Sequence, residues 1–265
     1  MKILNIVMVF LSLAFSRAED EFYVTFINKP GAVTYAANGK AVKVRDLLSP
    51  QTRLHFEPFA KMTCLSPKKG TFQYSASGIP KLEKQGIIAS LKDILDPGPT
   101  LGSFKTRALD FQGYEPSNYF KSASDMGYIL IIKDQQIPID MGNKAKDGDF
   151  FFLQFKDKDQ TVTRKISYNG KEMDLPQALF LTADGKLSQE PYLLCIQRKL
   201  QTRSISEKLA EFRPKFAERV DIKAQIEVFE QYGPQKDKEA FNNLLLTHFY
   251  SNYGKIGIEL LERLK

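Results

Sequence analysis

Residues 38–56, NGKAVKVRDLLSPQTRLHF, decide how the first part of this chain folds. Asn38-Gly39 is the dipeptide best suited to a tight hairpin, because both residues accept positive φ. KAVKV and RLHF then alternate with period two, which predicts strands whose inner face carries Val42, Val44, Leu54 and Phe56. Upstream, FYVTFI runs into the turn Asn28-Lys29-Pro30-Gly31, and AVTYA leads into the hairpin. Downstream, KMTCL and TFQYS flank Ser66-Pro67-Lys68-Lys69-Gly70. Short strands at this spacing predict a small barrel or sandwich over residues 19–76.

The pattern changes after that. Gly78 and Pro80 interrupt the strands, and KLEKQGIIASLKDIL permits a short helix that Asp96-Pro97-Gly98-Pro99 stops. Residues 77–126 therefore read as a connector with a short helix, ending near Ser122 to Met126. A second β module is expected over 127–202, from YILIIKD through DFFFLQFKD and TVTRKISY to YLLCIQRK. Asn169-Gly170, Asp184-Gly185 and Asp147-Gly148 mark its turns. Phe150, Phe151 and Phe152 in succession place aromatics on both faces, which predicts a strand covered on both sides.

Residues 203–265 carry a helical period. Ser204 with Glu207 fits a capping box, and Ile205, Leu209, Phe212 and Phe216 share one face. Pro214 should kink or divide this run. Val220, Ile222, Ile226 and Phe229 continue it up to Gly233-Pro234. EAFNNLLLTHFYSNYG begins another helix with Phe241, Leu244, Leu245, His248 and Phe249 on one side. The fold class expected is thus α+β: two small, mainly antiparallel β modules, a partly helical connector and C-terminal helices.

Lys2, the apolar stretch Ile3 to Phe15 and Ser16-Arg17-Ala18 read as a secretory signal over residues 1–18, cleaved after Ala18. The stretch is shorter than the roughly 18–20 apolar residues a membrane span needs, and no later stretch is long or apolar enough to span. An exported chain, periplasmic or secreted, follows from this reading. The formal net charge is +7, with 38 Lys+Arg against 31 Asp+Glu, and the basic residues lie close to acidic ones. No basic stripe with interleaved aromatics is present, so nucleic acid is not an expected partner. The two cysteines, Cys64 and Cys195, are either a disulfide between distant parts of the chain or two buried thiols.

Gly31-x-Val33-x-Tyr35, then Asn38-Gly39-Lys40-x-Val42, the Leu47-Leu48-Ser49-Pro50 turn, Leu54-x-Phe56 and a strand ending in Ser66-Pro67-Lys68-Lys69-Gly70 form one succession. It resembles the repeating β units of FecR-type periplasmic modules, with similar openings in exported proteins of Bacteroidetes-type bacteria. Where that pattern prefers Gly-Asp, this chain has Val44-Arg45-Asp46. The resemblance covers about a fifth of the chain. It implies a signalling or assembly module of the envelope and transfers no functional residue.

Catalytic signatures are sparse. There is no Gly-x-Ser-x-Gly elbow, phosphate-cradling loop or dinucleotide fingerprint, and no cofactor is called for. His55 and His248 are the two histidines, far apart, and neither has the local spacing of a zinc site. Asp157-x-Asp159 and Asp147-x-Asp149 begin like calcium loops and do not continue as such. Cys64 with His55 is the best nucleophile–base pair available, lacking a third orienting group. The Phe- and Leu-rich face of the last helices, with Phe241, Leu245 and Phe249, is the candidate contact surface for an envelope protein partner. These observations favour a non-enzymatic binding, sensor-accessory or scaffold protein. The alternatives are a secreted hydrolase using carboxylates or Cys64, and a small-ligand or glycan-binding protein.

Overall fold

The computed structural model describes residues 21–75, 87–90, 96–97, 120, 127–139, 148–200, 203–234 and 237–264. The expected leader over 1–18 and the boundary near 122–126 lie outside them. The chain divides between Gly98 and Pro99 into two compact units, apart from Gln231–Gly233, which belong with the first. Among the described residues strands dominate and the longest helices lie in the C-terminal part, and the fold is α+β.

In the first unit β1 is Phe22–Ile27, β2 Val33–Tyr35, β3 Leu47–Leu48, β4 Arg53–Phe56, β5 Lys61–Ser66, β6 Gly70–Ser75, β7 Ile87–Ser90 and β8 Asp96–Pro97. They form a five-stranded sheet in the order β3-β1-β5-β6-β8 and a three-stranded sheet β2-β4-β7. Phe22, Val24, Met62, Cys64 and Tyr74 from the first sheet meet Val33, Leu54 and Phe56 from the second in one core. A sandwich results, since period-two alternation gives each strand one apolar face to bury. Each fully buried large apolar side chain stabilises it by roughly 1.5–3 kcal/mol.

Two expectations change here. Ile87–Ser90 is not helical: it pairs antiparallel with β4, and Asp96–Pro97 pairs with β6. The helical spacing of Ile87 and Ile88 loses to β-pairing because two adjacent β-branched residues suit a strand added to an existing sheet edge. KAVKV, expected as a strand, has a single bridge, Ala41 to Thr34, and then turns away at Arg45 with φ 79°. Asp46 makes that turn, its Oδ2 accepting from the Lys43 N–H and the Tyr35 hydroxyl, each at 2.9 Å. Val42 is buried with Leu54 and Phe56, while Val44 is only half-buried.

In the second unit β9 is Tyr128–Ile132, β10 Ile137–Pro138, β11 Phe150–Asp157, β12 Gln160–Lys165, β13 Ser167–Tyr168, β14 Glu172–Asp174, β15 Tyr192–Lys199 and β16 Ser204–Ala217. The main sheet runs β12-β11-β15-β16-β9, and a smaller one runs β10-β14-β13. Ile129, Phe151, Leu153, Tyr192, Leu194 and Phe212 of the main sheet share a core with Ile137, Ile139, Met173 and Phe180. Phe151 points into that core, and Phe152 is buried on the opposite face, so aromatics do occupy both sides of β11.

The largest correction concerns residues 204–217. The segment expected to open the C-terminal helices is a fourteen-residue strand, paired antiparallel with β15 from Ser204 to Phe212 and parallel with β9 from Arg213 to Ala217. A bulge at Leu209 shifts the register, since Leu194 faces Ala210 and Cys195 faces Lys208. Beyond it Ala210, Phe212 and Pro214 alternate inward with period two. The Arg213 N–H bonds Gly127 on the β9 side, so Pro214, the next residue, turns its nitrogen towards the β15 side. There β15 has already ended opposite Phe212, and no donor is needed.

The C-terminal helices follow this strand: α1 is Arg219–Tyr232, α2 Lys238–Tyr253 and α3 Ile258–Glu262. On α1 Ile222, Ile226 and Phe229 are buried at helical spacing, whereas Val220, expected beside them, is 70% exposed. The Asp237 carboxylate caps α2 by accepting from the Ala240 N–H at 3.0 Å. Gly254 ends it with φ 106° and an N–H bond to the Tyr250 carbonyl.

Candidate functional site

A chain of polar groups, buried at Gln225, His248 and Asn252 and half-buried at its ends, runs from β16 through α2 to α1. Lys215 Nζ donates to the Asn252 carbonyl at 3.3 Å, and its charge sits 4.5 Å from the centre of the Tyr128 ring. The Asn252 amide donates to the His248 carbonyl at 3.0 Å and meets His248 Nδ1 at 3.2 Å. His248 Nε2 lies 2.9 Å from Gln225 Oε1, and Gln225 Nε2 donates to the Tyr253 hydroxyl at 2.7 Å.

The proton positions follow from one fixed point. A carbonyl only accepts, so the Asn252 group facing His248 O is its NH2, and His248 Nδ1 must accept from it. Gln225 already donates through Nε2 to Tyr253, so its Oε1 faces His248 and Nε2 carries the imidazole proton. His248 is therefore neutral and bonded at both ring nitrogens, 2% exposed, between the rings of Phe229 and Phe249 at 4.8 and 5.2 Å. Burial holds the Lys215 ammonium below the usual lysine value. Burial also pushes the Tyr253 hydroxyl up to about 12, with the Asp221 charge adding to the effect and the Gln225 bond opposing it.

Of this constellation the sequence marks only His248, as an inward residue. Asn252 lies one turn further along the same face, which is the signal for a local polar pair. Gln225 and Lys215 arrive from elements distant in sequence.

Cys64 and His55 do not make a nucleophile–base pair. Cys64 lies on β5, fully buried between Val24 and Phe72, and His55 lies half-buried on β4 of the other sheet. Burial raises the Cys64 thiol far above its ordinary value and keeps it protonated. Cys195 is a second free, buried thiol, on β15 of the second unit. Its pKa is raised by burial and partly restored by the Lys208 charge opposite.

The side chains expected to form a contact face are turned inward. Phe241 is 8% exposed, and Leu245 and Phe249 are fully buried, so they hold α2 in place and present nothing to a partner. Asp149 accepts from the Lys199 N–H and faces Arg198, and Asp157 accepts from the Ala183 N–H. Both carboxylates brace turns. Among the described residues no three His, Cys, Asp or Glu side chains gather closely enough to hold a metal ion. No described helix is long and apolar enough to cross a membrane.

What the molecule does present is a strand edge. Among the described residues, β16 pairs with β15 on one side from Ser204 to Phe212, while β9 takes up the other side only from Arg213. Residues Ser204 to Lys208 are all exposed, among them the apolar Ile205 at 38%. Compared with known protein families, curated proteins and solved structures, the chain matches none.

Proposed function

We propose that this is a non-enzymatic binding or scaffold protein, exported to a bacterial cell envelope, that acts through protein–protein contact. The observation that carries the reading is the outer edge of β16. Exposed N–H and C=O groups along an edge are a template onto which a strand of another chain can add. The secretory pattern of residues 1–18 and the FecR-like succession of residues 31–70 favour an envelope setting. A hydrolase built on Cys64 is disfavoured by the burial that keeps its thiol protonated.

Under this proposal Ile205→Lys places a charge on the edge, blocks strand addition and leaves the fold intact, since an exposed position changes stability by at most about 0.5 kcal/mol. Residues 19–265 are crosslinked in the envelope fraction of the native host and the crosslinks mapped by mass spectrometry. One dominant partner joined at residues 204–212, and lost in Ile205→Lys, is the expected result. Equal capture by both proteins, or crosslinks confined to other surfaces, removes β16 from the reading. Turnover that survives purification removes the reading altogether.

A further inference from the structure

We propose that the outer edge of β16 pairs with the same edge of a second copy of this chain, antiparallel about a two-fold axis through Ile205. The inference rests on the reading of that edge as the contact surface and names the partner it takes.

The β15–β16 hairpin fixes which backbone groups the edge offers. The Leu200 N–H donates to the Arg203 carbonyl at 2.9 Å, so these two residues form a hydrogen-bonded pair. Bonded and non-bonded pairs alternate along an antiparallel ladder. Ile205, opposite Arg198, and Glu207, opposite Ile196, therefore also turn their backbone groups towards β15. Ser204, Ser206 and Lys208 turn theirs outward. The bulge at Leu209 then switches the alternation, and the odd-numbered Arg213 and Ala217 bond Gly127 and Lys133 on the β9 side.

An identical strand can pair with this edge only where outward residues oppose outward residues. Registers that set Glu207 against Glu207, or Lys208 against Lys208, bring like charges together. Registers that set Ile205 against Arg203 or Glu207 place an apolar side chain on a charge. One register avoids all of these. It sets Ile205 against Ile205 on the axis, and on each side of the axis Ser204 against Ser206 and Arg203 against Glu207. The Ile205 pair and the two ion pairs then occupy non-hydrogen-bonded sites, where side chains approach most closely.

The edge has room for this arrangement. Ser204 to Lys208 and Arg203 are exposed. Glu207 accepts from Arg198 at 3.1 Å with 53% of its side chain still open to solvent, which leaves space for a second guanidinium. The added strand ends at its own Arg203, opposite Glu207, before β9 takes up the edge at Arg213. Each copy offers the same edge to the other, so the pairing closes at two copies. The ladder is short, and association is accordingly weak and reversible.

Sedimentation equilibrium of the full chain up to about 200 μM tests this, and the native protein should show a monomer–dimer equilibrium. Arg203→Glu sets carboxylates against each other at both ion pairs, and Glu207→Arg sets guanidinium groups against each other. Each variant alone should associate about tenfold more weakly or worse. Mixed together, the two variants regain both ion pairs and should form a heterodimer, a recovery that misfolded variants would not give. A dimer that either variant leaves unchanged overturns the pairing, as does a mixture that fails to recover. A native chain that stays monomeric at about 200 μM also overturns it. If Ile205→Lys then still loses a crosslinked partner of different sequence, the proposed function stands without self-pairing. Turnover by a purified protein that dimerises as expected removes the proposed function and leaves the pairing in place.

Discussion

Two buried tyrosines show what a hydroxyl contributes in each core. Tyr74 is completely buried in the first unit and its hydroxyl has no hydrogen-bond partner among the described residues. Tyr192 is as deeply buried in the second, but it donates to the Phe180 carbonyl and accepts from the Ser188 N–H, each at 2.6 Å. Removing an unmatched buried hydroxyl restores no lost water bond and breaks none in the protein. Removing a matched one strands two backbone groups. Tyr74→Phe should therefore be neutral or slightly stabilising, and Tyr192→Phe should cost about 1–3 kcal/mol. Denaturant unfolding of the two variants checks this directly. A Tyr74→Phe loss as large as that of Tyr192→Phe would show that the Tyr74 hydroxyl is matched after all.

At the scale of elements, the junction of α2 with β9 is the least tolerant place. A Cβ on Gly254 would lie 2.6 Å from the Tyr128 carbonyl oxygen, and the residue has φ 106°. Immediately afterwards Lys255 donates to the Tyr128 carbonyl and accepts from Leu130, which binds the chain to the strand. Gly254→Ala meets both the steric and the conformational penalty and should cost more than about 2 kcal/mol. A thermal unfolding midpoint like that of the native protein would remove this junction from the account. The same scale explains what could be read in the sequence. Strands whose neighbours follow directly, such as β5 and β6, show plain alternation around a strong turn. Residues 204–217 do not, because the Leu209 bulge moves Ile205, Leu209, Phe212 and Phe216 onto an accidental helical spacing. The polar chain around His248 was half legible. Its i, i+4 partner Asn252 is local, whereas Gln225 and Lys215 are brought in by packing. The inward side of α2 was legible from its period, but a period cannot distinguish a face turned towards the fold from one kept for a partner.

For the whole molecule, ionisation of the half-buried Tyr35 and Tyr253 should lower stability at alkaline pH in both units. In the first, burial, followed by the hydrogen bond to Asp46, raises Tyr35 to about 12. In the second, burial raises Tyr253 to about 12. A hydroxyl whose folded pKa exceeds its unfolded value stabilises fully below that unfolded value, about 10. The contribution is then lost as pH rises towards the folded value. Lys215 has the opposite sign. Its folded pKa is lowered, so its half-buried charge opposes folding at neutral pH, and that opposition disappears as pH rises towards the ordinary lysine value of about 10.4. The lysine effect is thus complete where the tyrosine effect begins, and raised tyrosines occur in both units. Stability should hold or rise slightly up to about pH 10 and then fall steeply up to about pH 12. Tyrosinate absorbance recorded alongside circular dichroism tests this across the 11 tyrosines. One group should ionise near its ordinary value with the fold intact, and the remainder should ionise only as secondary structure is lost. A single smooth titration near pH 10 over an unchanged dichroism spectrum would show that the raised hydroxyls ionise in place, and any alkaline limit would then lie elsewhere.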